Sequence, residues 1–403
     1  MDEETSPSPP PDVLLDTTLR DGEQAPGVAL TPEEKAEYVR RAEDIGIRYI
    51  EVGFPQNSFD FESCLAAVES SKHSRLVAMA LTTIEGVERV ADIGVHEVLF
   101  VVPCSTNHLK HVYGKTIQRL MADLQDSIEY ASYKRLSVNI GLEDAGQRDT
   151  STIHYILNCL LPLANKIQCI TVPDTRGQLL PMEVGDLITS IRQRLHGIDW
   201  RIAFHGHNDL GLATANSLAA LQMDPPVDSI HVTTCGFGER AGNASLEQLA
   251  TILELKLGRR TSLQLDRLRS LTEYVEEIFL TPISAHAPVV GSKVFLHESA
   301  LHQKGMLKDA GCYQYLDPMR LGQRTKMVLG KHSGKRLRRL IAESAKCSEN
   351  RVCKLQRALI NSDKGPAKAI LHESIESIRR CSMIGMEAEG AVSHLKSSTK
   401  VSS

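Results

Sequence analysis

The sequence predicts an α/β fold, a closed parallel (β/α)8 barrel followed by a mostly helical C-terminal subdomain. Two observations support this prediction. Short apolar runs recur eight times between segments of helical periodicity, and polar residues follow the C-terminal ends of several runs. Alternating strands and helices indicate a parallel sheet. The alternation alone would also allow an open doubly wound sheet, but in barrels the C-terminal strand ends carry the active site, so the polar residues favour closure.

The eight predicted strands are apolar runs bounded by turn residues. They are Val13–Thr17, Tyr49–Phe54, Leu76–Leu81, Glu97–Val102, Leu136–Leu142, Cys169–Val172, Ile202–His205 and Ser229–Thr233. The first helix has a clear start, because Thr31 and Glu34 form a capping box around Pro32. Gly46 suits the C-terminal cap of this helix.

Domain limits follow from where these patterns stop. We expect the barrel over residues 12–280 and a C-terminal lid and helical subdomain over 281–395. Residues 1–11 are acidic and rich in Ser and Pro, which predicts a disordered leader, and 396–403 resemble a frayed tail. Residues 335–380 are basic and helical in pattern. Their charges suit a solvated helix face or, alternatively, attraction of coenzyme A phosphates.

Composition excludes several classes of protein. The 403 residues are 42% hydrophobic, enough for a sizeable core, and the net charge of −4 gives no basic field for nucleic acid. The nine cysteines include no C-x-x-C pair, and a reducing, cytoplasmic location is expected. No apolar run reaches the length of about 20 residues that spans a bilayer, so no membrane association is expected.

The segment from Phe204 to Leu212 is the most informative motif. His205 and His207 stand two residues apart at the end of an apolar strand, so their side chains point to the same side. Two imidazoles placed in this way can converge on a divalent cation. Taken alone, an H-x-H pair also describes two ordinary polar residues at a strand end.

Two further segments give this pair its context. Residues 14–24 place Arg20, Asp21 and Gln24 after a strand, and residues 233–243 form a glycine-rich loop after another. The motifs L-R-D-G-x-Q, H-x-H-N-D-x-G-L-A-x-A-N and G-x-G-E-R-A-G-N occur in this order. From about Asp12 to Ser333 the chain resembles the D-R-E/TIM-barrel metallolyases, in particular the acyl-CoA-condensing group of isopropylmalate, homocitrate, citramalate and Re-type citrate synthases.

The resemblance implies a TIM barrel and a set of metal ligands. It assigns a divalent cation (Mn²⁺, Mg²⁺, Co²⁺ or Zn²⁺) to Asp21, His205 and His207, with Asn243 as a possible fourth ligand. It also implies acetyl-CoA and a 2-oxo acid as substrates. Arg20 would stabilise the developing alkoxide, and the substrate site would include Arg20, Gln24 and Thr175. Asp174, beside Thr175, is expected to orient its loop.

A catalytic base is also implied by the resemblance. Glu143, paired with His302, would remove a methyl proton from acetyl-CoA. Tyr313 would act in proton transfer or thioester hydrolysis, although the residues after it depart from the T-Y-E pattern of the family. Cys235 is expected to be a small loop residue, unlike the cysteine of the lyase branch. A metal-dependent acyl-CoA lyase and a non-catalytic barrel are the rival classes.

The loop of residues 102–110 bears on the choice of 2-oxo acid. His108 and Lys110 make it polar, which favours a substrate with a second acidic group and places His108 in the substrate site. The overall resemblance is to homocitrate synthases, whose substrate would be 2-oxoglutarate. Asn139 stands where lysine-pathway homocitrate synthases have arginine. Re-citrate, 2-phosphonomethylmalate, 2-phosphinomethylmalate and 2-isopropylmalate synthases therefore stay open as alternatives.

The resemblance finally implies a homodimer. In the family, the segment after the barrel crosses to cover the mouth of the partner's barrel, so that His302 and Tyr313 would serve the neighbouring subunit. Shielding an enolate from water gives such a lid a chemical purpose. From the residues alone, a lid over its own barrel is equally possible.

Overall fold

The structure, a computed structural model, describes residues 13–147, 149–361 and 372–374. The chain divides into two compact units, the first ending at Ile283 and the second beginning at Ser284. The predicted leader (1–11) and tail (396–403) lie outside the described residues. No helix among the described residues has the length and apolar character needed to cross a membrane.

The first unit is a closed barrel of eight parallel strands, as the sequence predicts. The strands are β1 (Leu14–Asp16), β2 (Tyr49–Glu51), β3 (Arg75–Ala80), β4 (Glu97–Pro103), β5 (Ser137–Glu143), β6 (Ile167–Asp174), β7 (Arg201–Gly206) and β8 (Ser229–Val232). Each strand pairs with the next, and β8 returns to β1 with Leu14 opposite Ile230. All eight predicted strands are present, with ends that differ by a few residues.

Helices connect the strands around the outside of the barrel. They are α1 (Pro32–Asp44), α2 (Ser58–Ser70), α3 (Ile84–Asp92), α4 (Thr106–His108), α5 (Ile117–Tyr133), α6 (Ser151–Leu160), α7 (Pro181–Arg194), α8 (Ala213–Leu221), α9 (Leu246–Thr251) and α10 (Leu268–Ile278). The capping box of α1 is confirmed, since Thr31 and Glu34 exchange both hydrogen bonds. Gly46 follows this helix with φ +99°, a conformation that favours glycine.

The barrel interior contains an apolar level beneath the mouth. Leu15, Tyr49, Val77 and Leu99 form a buried cluster contributed by four neighbouring strands. Filling this level with hydrocarbon stabilises the barrel by about 25 cal/mol per Å² of apolar surface buried. Polar side chains lie on both sides of this level, at the C-terminal strand ends and around the buried Glu97, which accepts from Tyr49 Oη at 2.7 Å.

The second unit combines helices with a small sheet. Its helices are α11 (Ala300–Met306), α12 (Lys335–Ser344) and α13 (Glu349–Asn361), and β9 (Leu296–His297), β10 (Lys326–Val328) and β11 (His372–Ser374) form the sheet. Met306, Met327, Leu337 and Ile341 belong to its core.

The prediction of helical structure throughout residues 335–380 is therefore wrong at β11. This strand pairs antiparallel with β10. The edge of β10 offers backbone hydrogen bonds from distant sequence, and local helical periodicity cannot reveal such a partner. The C-terminal unit is nevertheless mainly helical among its described residues, as predicted.

Candidate active site

Asp21, His205 and His207 meet at the C-terminal end of the barrel. Asp21 follows β1, whereas His205 lies in β7 and His207 comes directly after it. The Nε2 atoms of the two histidines are 3.2 Å apart. Asp21 Oδ2 lies 3.5 Å from the first of these nitrogens and 3.8 Å from the second. One ligand atom from each residue falls within 4.8 Å of the others, and all three side chains are buried.

The chemistry of these atoms fits a divalent cation. Burial, followed by the neighbouring His205, lowers the pKa of His207 to about 4, so its imidazole is neutral at pH 7. Although burial acts to raise it, the Arg20 guanidinium and the two histidines hold the pKa of Asp21 well below its usual range. A buried carboxylate beside two imidazoles is a mixed oxygen and nitrogen donor set of the kind that divalent metals take.

Asn243 is held against this cluster by both its backbone and its side chain. It forms an isolated bridge with His207, and its Nδ2 donates to Asp21 Oδ1 at 2.7 Å. Its Oδ1 is buried and has no hydrogen-bond partner among the described residues. A buried carbonyl oxygen without a partner is costly, and a cation would satisfy it. Asn243 therefore fits the predicted position of a fourth ligand.

The glycine-rich loop approaches the cluster closely at Gly238. A Cβ atom there would lie 2.8 Å from Asp21 Oδ1 and would also collide with the amide of Asn243. Neither atom can move without breaking the hydrogen bond between Asn243 and Asp21. Gly238, the second glycine of the G-x-G-E-R motif, is thus required by the packing of these two side chains.

Glu51 is a site residue that the sequence analysis missed. It ends β2, is fully buried, and accepts from Arg20 Nε at 2.8 Å and from the Thr17 hydroxyl. The other end of the guanidinium donates to Asp21 Oδ2 at 2.6 Å. Arg20 is therefore fixed between two carboxylates. An acidic residue at the end of an apolar strand was the available signal, because charged residues are seldom fully buried without a partner.

Glu143, Tyr113 and His108 form a second polar cluster at the C-terminal end of the barrel. Tyr113 Oη donates to Glu143 Oε2 at 3.0 Å, and His108 Nδ1 lies 3.4 Å from the same oxygen. Lys110 and His111, from the same loop, are exposed. His108, which was predicted to bind substrate, thus lies against the carboxylate of the expected base. Tyr113 was not predicted.

A cavity of about 310 Å³ joins these groups. Asp21, both histidines, Glu143, Gln24 and Thr175 all line it. Each of these residues was expected in the site from its motif, and the barrel brings them together.

The lining of this cavity differs from side to side. An apolar wall on one side is formed by Met79, Leu99 and Val101 from β3 and β4. Polar residues line the opposite side, next to the cluster of Asp21 and the two histidines. The cavity can thus hold a molecule that has one polar end and one apolar end.

Asp174 and Cys235 have structural roles in their loops. Asp174 accepts from the backbone amides of Gln178 and Leu179, as expected of a residue that orients its loop. The amide of Cys235 donates to Glu247 Oε1 at 2.8 Å. Burial raises the pKa of the Cys235 thiol far above its ordinary value, which does not suit an acid in catalysis.

His302 and Tyr313 lie in the second unit, where they contact each other. Their rings stack with centroids 4.0 Å apart, and Tyr313 is half exposed. His297 lies beside them, with its ring centroid 6.1 Å from that of His302. Within this unit the two predicted residues therefore form a pair.

Comparison with known proteins agrees with this geometry. The model of the HMGL-like family matches residues 13–275, and the homocitrate synthase post-HMGL domain-like model matches residues 289–355. A probable 2-isopropylmalate synthase of Ignicoccus hospitalis is 33% identical over 80% of this chain and 79% of its own length. A putative (R)-citramalate synthase of Methanopyrus kandleri is 34% identical over 83% of this chain.

The chain is shorter than many of these relatives. It spans 65% of the Methanopyrus citramalate synthase and 63% of a probable 2-isopropylmalate synthase from the same organism. Among solved structures, an HMG-CoA lyase from Bacillus subtilis superposes with a TM-score of 0.61 at 21% identity, over 69% of this chain and 97% of the lyase. An HMG-CoA lyase from Pseudomonas aeruginosa gives the same TM-score at 18% identity, over 69% of this chain and 96% of the lyase.

The lyase structures share the barrel fold, and the relatives that match by sequence confirm the resemblance found in the motifs. The chain belongs to the HMGL-like family and, within it, to the DRE-TIM alkylmalate synthase group.

Proposed function

We propose that this protein condenses acetyl-CoA with a 2-oxo acid in a metal-dependent Claisen-type reaction and releases coenzyme A. The observation that carries the proposal is the convergence of Asp21, His205 and His207 on a cavity that Arg20 and Glu143 also line. Relatives named as 2-isopropylmalate and citramalate synthases support the same reaction class.

The metal site has a defined role in this proposal. Asp21, His205 and His207 would hold Mn²⁺, Mg²⁺, Co²⁺ or Zn²⁺, and Asn243 would be the fourth ligand. The bound cation supplies Lewis-acid polarisation of the keto group of the 2-oxo acid. Arg20 faces the cavity and would stabilise the negative charge that develops on the keto oxygen.

The 2-oxo acid also needs contacts that orient it. Gln24 and Thr175 line the cavity and offer an amide and a hydroxyl to its carboxylate. The Thr175 hydroxyl already accepts from the amide of Asp144 at 2.8 Å, which fixes its rotamer. A hydroxyl oriented in this way would donate its proton to the substrate.

Glu143 is the proposed base. Its carboxylate lines the cavity and would accept a methyl proton of acetyl-CoA. The resulting carbanion attacks the keto carbon of the 2-oxo acid, whose C=O π bond breaks to leave an alkoxide. A proton from solvent converts the alkoxide to a hydroxyl, and Glu143 returns its proton to solvent. Water then cleaves the thioester, giving a carboxylate and free coenzyme A. His302 would pair with Glu143, and Tyr313 would act in proton transfer or thioester hydrolysis.

We also propose that His302 and Tyr313 serve the partner's barrel in a C₂ homodimer with exchanged lids. Mixing inactive Glu143→Gln with inactive His302→Ala should then restore about a quarter of wild-type activity, because half the dimers are mixed and each has one intact site. Subunit exchange is checked by mass spectrometry. Full exchange without recovery would contradict the exchanged lid.

The side chain of the 2-oxo acid would meet the apolar wall of Met79, Leu99 and Val101. Among the described residues that line the cavity, the guanidinium groups are those of Arg20 and Arg240, and each already pairs with a carboxylate. These contacts support an acid with an aliphatic side chain, such as pyruvate or 2-oxoisovalerate.

A dicarboxylic acid is the second proposal. Asn139 has a neutral amide, which donates to the buried Glu97 at 2.6 Å. This position therefore supplies no positive charge to a second carboxylate. Lys110 is exposed, which leaves His108 as the loop residue that supports 2-oxoglutarate and hence homocitrate. Oxaloacetate, phosphonopyruvate and phosphinopyruvate would need the same second anionic site.

The test measures thiol release from acetyl-CoA with Mn²⁺ and each of five acids. The acids are pyruvate, 2-oxoisovalerate, 2-oxoglutarate, oxaloacetate and phosphonopyruvate. We expect release that depends on the metal, with the highest kcat/KM for an aliphatic acid. The highest kcat/KM for 2-oxoglutarate would favour homocitrate instead. If no acid gives release above that of Asp21→Asn, the proposed function is wrong.

A further inference from the structure

We infer that Tyr113 is a positioning residue for Glu143 and determines which carboxylate oxygen faces the acetyl-CoA methyl group. The inference rests on the proposed function. Tyr113 lines the cavity, and its hydroxyl donates to Glu143 Oε2 at 3.0 Å. Burial and the nearby Glu143 raise the pKa of Tyr113 above its ordinary value, so the phenol keeps the proton that it donates.

The backbone that carries Tyr113 has an unusual form. After α4, residues Leu109–Tyr113 form a π-helical turn, in which each backbone hydrogen bond spans five residues. Gly114 ends it in the left-handed conformation, with φ +60°. Single π-helical turns are rare and occur frequently at functional sites.

The π turn explains how two side chains reach the same carboxylate. His108 and Tyr113 are five positions apart, and in an α-helix such side chains point about 140° away from each other. In a π turn, residues with this separation lie close to the same face. His108 Nδ1 accordingly lies 3.4 Å from the oxygen that Tyr113 contacts. The spacing of the pair is productive only because this turn is not α-helical.

Both contacts fall on Oε2 of Glu143. Among the described residues, Oε1 receives no hydrogen bond or ion pair, and about a quarter of the side chain is exposed to the cavity. The terminal torsion of a glutamate is broad, so an isolated carboxylate rotates freely. A donor on one oxygen removes that freedom and presents the other oxygen to the substrate.

This arrangement assigns a distinct effect to the phenol. Tyr113 orients the base, whereas the bond to the methyl proton is made by Glu143 alone. Misplacing a reacting group by about 1 Å can cost 100-fold in rate. The loss should therefore appear in the proton-abstraction step and should leave binding of the 2-oxo acid intact.

The experiment compares Tyr113→Phe with wild type, using acetyl-CoA and its trideuterated form. We expect kcat to fall by roughly 10- to 100-fold while KM for the 2-oxo acid stays within about twofold. The deuterium isotope effect on kcat should increase, because slower proton abstraction limits the rate more fully. A purely structural role would not raise this isotope effect.

A double-mutant cycle tests whether Tyr113 acts through Glu143. Glu143→Asp keeps a carboxylate but withdraws it from the phenol by one methylene. In this background Tyr113→Phe should cost less than about threefold, since interacting residues are not additive. An equal fold-loss in both backgrounds would overturn the inference.

Tyr133→Phe is the matched control, because Tyr133 is a tyrosine on α5 with 78% of its surface exposed. It should retain wild-type kcat and isotope effect. A Tyr113→Phe enzyme indistinguishable from this control would also overturn the inference, as would a raised KM with unchanged kcat. Failure of wild type to release coenzyme A with any 2-oxo acid would instead refute the proposed function itself.

Discussion

Replacing Glu51 by glutamine should destabilise the barrel and impair catalysis together. Glu51 is fully buried, and the side chain of its partner Arg20 is 12% exposed. Removing one member of a buried ion pair costs about 3–5 kcal/mol, because the remaining charge is left without compensation. Here Arg20 keeps its contact with Asp21. We therefore expect the lower end of the range, a loss of about 3 kcal/mol in the free energy of unfolding.

Urea unfolding followed by tryptophan fluorescence measures this change. Trp200 is the single tryptophan of the sequence and is buried in the barrel, so its emission reports on the first unit. Glu85→Gln is the matched control. Glu85 pairs with Arg89 at 3.1 Å on the surface of α3, and exposed pairs of this kind contribute about 0–1 kcal/mol.

The second readout is activity. A guanidinium released from Glu51 no longer faces the developing alkoxide at a fixed position, and kcat should fall by about 100-fold. A Glu51→Gln protein that unfolds at the same urea concentration as Glu85→Gln and retains wild-type kcat would refute both roles of Glu51. Loss of stability with full activity would show that Glu51 supports the barrel but does not position Arg20.

Three further predictions follow from the described contacts. Replacing Asp21, His205 or His207 by alanine should remove the divalent metal and almost all activity; full metal occupancy by elemental analysis in two of these variants would contradict the site. Hydrogen bonds from residues 71–74 lower the pKa of Glu43 to about 2, although burial acts to raise it. The ionised Glu43 therefore stabilises the fold above pH 4.5, and this contribution is lost as the pH falls towards 2. Glu43→Gln should therefore flatten the pH dependence of the urea midpoint across that interval, and an unchanged slope would contradict the assignment. At Gly141 an added Cβ would lie 3.7 Å from the side chains of Leu99 and Val101. Gly141→Leu should therefore raise KM for 2-oxoisovalerate more than KM for pyruvate. Equal changes in the two KM values would show that Gly141 does not face the side chain of the 2-oxo acid.

Much of the barrel could be predicted because its pattern is local. Each strand is an apolar run that ends in polar residues, and the parallel arrangement sends those ends to the same face. His205 and His207 illustrate this, since their spacing alone places both imidazoles on one side of β7. Strand ends were less predictable. β6 begins two residues before the predicted Cys169 and ends two residues after Val172, because pairing with its neighbours extends it beyond the apolar run.

The residues that the sequence did not reveal depend on long-range or irregular geometry. Glu51 has no motif of its own, and its role appears only when β1 brings Arg20 beside it. Tyr113 reaches Glu143 because a π turn replaces the α-helical one that periodicity would suggest. β11 required a strand edge in the second unit that no local pattern encodes.

The close approach of Gly238 to Asp21 and Asn243 bears on how diverged copies of this chain should be judged. A single methyl group at position 238 would intrude at once on two side chains proposed to hold the metal. A descendant could therefore keep Asp21, both histidines and Asn243 and still be unable to hold a cation. In a set of paralogues, an alanine at this glycine would mark the inactive copies before any ligand had changed.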